Sequence, residues 1–327
     1  MIHKIMSQGD TTADFGEIST VVDTLEAGVD TTSTTIYWFR PYKSADFPEI
    51  TCDKDYFFLW STDHDPALVG GIYWGKGNNL DLSDFVEVGL MFNADQAETP
   101  FLYRFPDAVS GRKIHLYYHT INGSCSGQNS RLRTTTGGDL SSLTWTQETD
   151  PISCQGTVSG VTQNHTGYLR FWELGSGLVC NHHFNGTVPL TFQRGTTTDG
   201  LTFANLPIYS EYHPFIESGR SYTLSWAECF KIRGEYYGLI NSADDFNSFS
   251  GGTFSSGKLH LVKVNSSLEV TALLSTITGN VQQQGFDIYI EGTTAHLYRQ
   301  TGRINRPLTF NDYLGYSTFD LNPVYSI

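Results

Sequence analysis

Short strand-like runs recur in this sequence at an interval near sixty residues, and that period limits the fold more than any single motif does. The pattern is clearest over 96–119. Glu98-Thr99-Pro100-Phe101-Leu102-Tyr103 reads as a strand that opens on a carboxylate, and Ser110-Gly111 as a turn. Lys113-Ile114-His115-Leu116-Tyr117-Tyr118-His119 then reads as a second strand that closes on a histidine. Runs of this length, rich in β-branched and aromatic residues and bounded by Gly, Pro, Asn and Asp, are strands between tight turns. A helical, 3.6-residue apolar repeat is weak throughout.

Four other stretches repeat the layout. Unit one runs through Ile36–Tyr42, Asp55–Thr62, Gly70–Gly75 and Asn78–Val88. Unit two continues from Glu98–Tyr103 and Lys113–His119 into Ser130–Thr134 and Gly137–Thr146. Unit three comprises His165–Phe171, Gly177–His183, Leu190–Arg194 and Thr198–Phe203. Unit four comprises Glu228–Ile232, Glu235–Asn241, Lys258–Val264 and Ser267–Leu274. Unit five is compressed into Phe286–Ile290, Thr294–Arg299, Leu308–Phe310 and Thr318–Tyr325.

The residues that open the units at one phase are Arg40, Glu98, His165, Glu228 and Asp287, at steps of 58, 67, 63 and 59. Four strands per step at this period predict an all-β, five-bladed β-propeller, with four-stranded antiparallel blades around a central channel. The expected blades span about 36–93, 94–160, 161–210, 211–278 and 279–327. Residues 1–35 form an N-terminal segment whose strand at Ile18–Leu25 can complete the last blade and remove the exposed edges. A β-sandwich or jelly roll would not explain the period.

Composition agrees with many short strands and tight turns: 327 residues, 14 % aromatic, 17 % charged, 32 glycines. A formal net charge of −14 argues against a general nucleic-acid partner, which needs a basic stripe to neutralise phosphates. It leaves room for an anionic glycan in a locally basic cleft. The five cysteines form no C-x-x-C pair, so neither a zinc ribbon nor a thioredoxin-type motif is expected. Cys125 and Cys154 flank one hairpin and can pair in an oxidising compartment; five thiols is the simpler expectation. No apolar run is long enough for a membrane span, and no signal peptide is visible. The expected location is extracellular or virion-associated, in a viral or secreted assembly.

A propeller brings the starts of its inner strands to one axis, so residues far apart in sequence converge there. The catalytic candidates are Glu98, Glu228, Asp287, His165 and His119. General acid–base chemistry needs one protonated and one ionised carboxyl group, and Glu98 with Glu228 is the expected pair, Asp287 tuning it. Arg40, Trp38, Tyr168, His183, His213 and Trp226 are the expected substrate-binding residues. Trp38 and Trp226 each lie two residues before a phase-matched position. No cofactor is required. Asp63-His64-Asp65 or His182-His183 could hold a structural calcium or zinc, but adjacent ligand types on loops are usually solvated.

Two motifs carry a family resemblance. Ser61-Thr62-Asp63-His64-Asp65, then Gly70-Gly71-Ile72-Tyr73-Trp74, then Leu82-x-x-Phe85-x-x-Val88-Gly89, resembles blades of five-bladed glycoside hydrolases of the arabinofuranosidase/xylosidase and fructosidase clans. Thr197-Thr198-Asp199-Gly200-Leu201-Thr202-Phe203 is similar to the degenerate Asp-box turn of sialidase-like propellers. The resemblance implies a carbohydrate-active site at the channel mouth, with a first-blade aspartate as base or nucleophile and a later glutamate as acid. This sequence departs from it in offering Arg40 in the first blade. Two other functions fit the same residues. One is a polysaccharide lyase for uronic acids, with Arg40, His119, His165, Tyr168 and Tyr212-His213 supplying cation and base. The other is a non-catalytic glycan- or receptor-binding head of a phage or secreted assembly.

Overall fold

The computed structural model describes residues 19–20, 37–62, 71–93, 97–109, 111–120, 129–147, 157–158, 161–162, 166–175, 177–184, 191–201, 204–205, 222–243, 258–278, 287–301 and 313–321. Among these residues the regular structure is strand, apart from two single turns of 3-10 helix at Ser44–Asp46 and Leu140–Ser142. Five sheets have four strands each, and all their pairings are antiparallel.

Each sheet follows chain order outward from its opening strand. The first contains Tyr37–Lys43, Tyr56–Thr62, Gly71–Gly77 and Val86–Asn93. The second contains Glu98–Val109, Arg112–Thr120, Asn129–Thr135 and Thr146–Gln147. The third contains Thr166–Leu174, Gly177–Phe184, Thr191–Thr197 and Ala204–Asn205. The fourth contains Tyr222–Ile232, Glu235–Ala243, Lys258–Val264 and Val270–Thr278. The fifth contains Asp287–Glu291, Thr294–Thr301 and Tyr313–Asp320, and its outer edge is covered by Ser19–Thr20 from the start of the chain.

Some details differ from the sequence reading. In unit two, Gly138–Asp139 leaves its own sheet and pairs in parallel with Ile50–Thr51 of unit one. Gly137 stands at φ 98°, and a side chain there would meet the Glu49 carbonyl, so the crossing strand can approach only through glycine. The fourth strand of unit three begins at Ala204, after the Asp-box-like turn and not within it. Leu308–Phe310, Cys125, Cys154 and Asp63–Asp65 lie outside the described residues. Cys52 and Cys229 are free thiols.

The cores explain why the sheets need one another. One cluster joins Phe57, Leu59 and Trp74 of the first sheet to Leu102, Ile114 and Leu116 of the second. Another joins Phe101 and Tyr117 of the second to Leu169 and Phe171 of the third. Trp172 and Val179 of the third pack with Ile240 and Val262 of the fourth. Leu239 and Leu261 of the fourth pack with Ile288 and Leu297 of the fifth. Tyr298 of the fifth then packs among Phe39, Phe58 and Trp60 of the first. Each sheet thus buries an apolar face against the next, in cyclic order. The opening strands touch in the same cycle. This all-β arrangement is of propeller type. Each fully buried aromatic or aliphatic side chain contributes about 1.5–3 kcal/mol, so no sheet would be stable alone.

Candidate active site

The opening strands of four sheets share one distortion. In the first, Tyr37 faces Ser61 but Arg40 faces Leu59, so three steps on the opening strand match two on its neighbour. The same one-residue slip separates Glu98 from Phe101 in the second sheet, Gly167 from Arg170 in the third and Trp226 from Glu228 in the fourth, where another lies between Tyr222 and Ser225. It is a β-bulge, which bends the strand and re-aims the side chains that follow. It sets Trp38 at φ 52° and Thr99 at φ 50°. That region is uncommon for any non-glycine residue and strained for a β-branched one.

The bulges fix the structural phase. Arg40, Phe101, Arg170 and Glu228 stand at one level, and Asp287 joins them at the start of the fifth opening strand. Phe101 and Arg170 therefore stand where the sequence reading put Glu98 and His165. The bulge is the reason for the difference. Tyr37 and Glu98 open their strands alike, three residues before the matched position. The sequence reading took Arg40 from beyond the bulge in one strand and Glu98 from before it in the other.

At this level four side chains form a chain of ion pairs. Arg40 Nη1 donates to Asp287 Oδ1 at 2.5 Å and Arg40 Nη2 to Glu228 Oε2 at 2.7 Å. Arg170 Nη2 donates to Asp287 Oδ2 at 2.7 Å. The remaining carboxylate oxygen of Glu228 accepts from Trp172 Nε1 at 2.8 Å and from the Cys229 backbone N–H at 2.9 Å. Asp287 Oδ1 also accepts from the Ile288 N–H, at 2.9 Å. The Phe101 ring lies against both guanidiniums, 5.3 Å from that of Arg40 and 4.9 Å from that of Arg170.

The cluster is buried: Arg40 and Glu228 are 8 % exposed, Arg170 6 % and Asp287 1 %. Removing four charges from water is costly, and only close pairing with hydrogen bonds to both ends offsets it. Two guanidiniums balance two carboxylates here. Burial alone would weaken the Arg40 proton, but Asp287 and Glu228 outweigh it and hold Arg40 more firmly protonated than usual. Burial likewise pushes the Tyr42 hydroxyl up to about 12, against the pull of Arg40 and Arg170. Tyr42 Oη accepts the Leu102 N–H at 2.9 Å and so ties the first sheet to the second.

Glu98 sits in a different place from the cluster. It opens its strand directly opposite His119, which closes the neighbouring strand, and Glu98 Oε2 is 3.4 Å from His119 Nδ1. Both residues are fully buried. Of the expected candidates, the structure brings Arg40, Glu228 and Asp287 into one cluster and Glu98 with His119 into one pair. Trp38 is buried at its bulge, 3 % exposed. His165 and His213 lie outside the described residues, as do the side chains of Tyr168, His183 and Trp226.

Arg170, Trp172 and Phe101 were not among the expected site residues. A signal for Arg170 is present in the sequence. Tyr168-Leu169-Arg170 repeats the order of Trp38-Phe39-Arg40: an aromatic, a core residue, then the arginine. Among the described residues no group of three or more His, Cys, Asp or Glu side chains is placed to hold a metal ion.

No protein-family model matches the sequence, and no curated protein matches it. Solved structures do match, and they are β-propeller glycoside hydrolases. A family 117 glycoside hydrolase from the marine bacterium Zobellia galactanivorans is 12 % identical, with a TM-score of 0.61 over 93 % of this chain and 90 % of that one. An α-L-arabinofuranosidase from Lactobacillus brevis is 11 % identical, with a TM-score of 0.55 over 90 % and 93 %. The family 32 β-fructofuranosidase of Bombyx mori is 8 % identical, with a TM-score of 0.52 over 79 % of this chain; only 56 % of that chain is covered. The expected resemblance holds at the level of fold. At these identities it is a likeness of fold alone.

Proposed function

We propose that this chain is a five-bladed propeller, closed by its N-terminal strand, that hydrolyses glycosidic bonds of a poly- or oligosaccharide at the axial mouth. The observation that supports this reading is the convergence of Glu228 and Asp287 on Arg40, from three different sheets, in a fold shared with glycoside hydrolases. Both carboxylates are paired with guanidiniums: Glu228 with Arg40, and Asp287 with Arg40 and Arg170. Asp287 has both oxygens taken by arginines and is almost wholly enclosed, so it tunes the site. Glu228 is the more exposed of the two and is the ionised partner in the reaction. The acid is Glu98, which lies beside His119 on the second sheet, while Glu228 lies on the fourth.

One observation favours a second reading, a non-catalytic glycan-binding head. Glu228 accepts three hydrogen bonds from the protein, which take up much of its capacity to engage a water or a sugar. The lyase reading is less favoured on one count: it needs Arg40 for the sugar carboxylate, and both terminal nitrogens of Arg40 bond carboxylates of the protein.

A polysaccharide panel separates the three. Hydrolysis releases reducing ends without new ultraviolet absorbance, and elimination releases both. Binding without either product would leave only the glycan-binding head.

A further inference from the structure

We infer that Trp172 is a positioning residue for Glu228: its indole N–H, with the Cys229 backbone N–H, occupies Glu228 Oε1 and leaves Oε2 as the oxygen that acts. The inference rests on the glycosidase reading above, in which Glu228 is the ionised partner. Its basis is a hold on both ends of one carboxylate. Trp172 Nε1 donates to Oε1 at 2.8 Å, and the Cys229 N–H donates to the same oxygen at 2.9 Å. Among the described residues Oε2 accepts only from Arg40 Nη2, at 2.7 Å.

The third opening strand accounts for the placement. Trp172 lies two residues past Arg170, so both side chains leave the same face of the strand. Phe171, between them, packs with the second sheet, whereas Trp172 packs with Cys229, Ile240 and Val262 of the fourth. Tyr42 stands in the same relation to Arg40 on the first sheet, where its hydroxyl accepts the Leu102 N–H. An indole can only donate, so the equivalent position on the third sheet meets a carboxylate instead.

An ionised carboxylate has about four lone-pair positions. Trp172 and Cys229 fill the two on Oε1 and Arg40 fills one on Oε2, so the position left is on Oε2. The Glu228 side chain keeps 11 % of its surface exposed and is not enclosed. Rotation about the terminal bond of a glutamate has only broad preferences, and a single bond to Arg40 would let the carboxylate turn. The donors on Oε1 stop that rotation. A base must aim its lone pair along the O–H bond of the attacking water, and a nucleophile must aim it at the sugar carbon. Misplacement by about 1 Å costs on the order of a hundredfold in rate.

Two measurements on the full chain test the inference. The first is the indole proton resonance of Trp172, assigned by its loss in Trp172→Phe. A bond to a carboxylate moves that resonance downfield. Glu228→Gln has one acceptor oxygen, which Arg40 takes, so the resonance is expected to move upfield and the N–H to exchange faster with water. A resonance unmoved by Glu228→Gln overturns the inference even if glycans are cleaved. Kinetics of Trp172→Phe, which keeps a ring but no donor, supply the second arm. Turnover is expected to fall about 10- to 100-fold with KM little changed. Val262→Ala thins the same apolar cluster without touching the N–H, and is expected to lower the unfolding midpoint but keep the wild-type kcat. Wild-type kcat in Trp172→Phe, or an equal loss in Val262→Ala, overturns the inference. A moved resonance with no cleavage of any glycan would overturn the hydrolase reading and the role of Oε2 in it, but not the hold on Oε1.

Discussion

Arg40 Nη1 lies 2.5 Å from Asp287 Oδ1, a contact between side chains 247 residues apart in sequence. It joins the first sheet to the fifth at the point where the ring of sheets must close. The same guanidinium reaches Glu228 on the fourth sheet, so one side chain binds three sheets at the axis.

Removing that guanidinium strands two buried carboxylates. Arg40→Met is expected to destabilise the fold by about 3–5 kcal/mol, the usual cost of breaking a buried ion pair from one side. Arg40→Lys should lose less, because an ammonium keeps the charge but cannot fork to both partners. Urea unfolding curves measure both. A midpoint unchanged in Arg40→Met would mean that the cluster does not hold the ring.

The turn at Thr197–Leu201 docks the third sheet on the second. Gly200 stands at φ 70°, and a methyl group there would lie 2.2 Å from Tyr117 Oη and 2.4 Å from Phe105 Cζ. Gly200→Ala is expected to cost roughly 2–4 kcal/mol, from overpacking together with an unfavourable left-handed backbone. Tyr117→Phe loses the 2.9 Å bond to the Gly200 carbonyl and the 3.2 Å contact with His115 Nδ1, without overpacking, and should cost about 1–2 kcal/mol. Thermal unfolding distinguishes the two.

His296 gives the fold an acid-side dependence. Its partly buried ring hydrogen-bonds Tyr316 Oη at 2.7 Å. Burial favours the neutral imidazole and outweighs Glu291 and Asp81, so its folded-state pKa lies below the ordinary 6.5. The unfolded chain therefore takes up the proton first. Stability present above 6.5 is lost as pH falls below it, through the folded-state value. His296→Gln, which keeps a hydrogen-bonding group but does not titrate, should show a smaller loss of stability over that interval. An identical acid-side curve would contradict this.

Much of the fold could be read from the sequence because strands and turns are local. Alternation and turn residues placed Lys113–His119, Glu235–Asn241 and Lys258–Val264 within a residue or two of the observed strands. The site was less legible. A β-bulge adds a residue to one strand without any residue type that announces it, as Trp38 and Thr99 show at positive φ. The phase count therefore chose Glu98 over Phe101 and His165 over Arg170. Partner choice was hidden for another reason. Arg170, Trp172 and Phe101 acquire their roles only when the third and second sheets are brought against the fifth, fourth and first. The partner of Gly138–Asp139 was hidden likewise, since Ile50–Thr51 belongs to another unit.

The central claim is that Glu98 and Glu228 act on a glycosidic bond. Its most direct test is turnover of the polysaccharide that the wild type degrades, measured for Glu98→Gln and Glu228→Gln with folding verified by circular dichroism. Each variant is expected to lose at least about a hundredfold in kcat, the scale of a missing acid or base. Full activity in both folded variants would contradict the assignment.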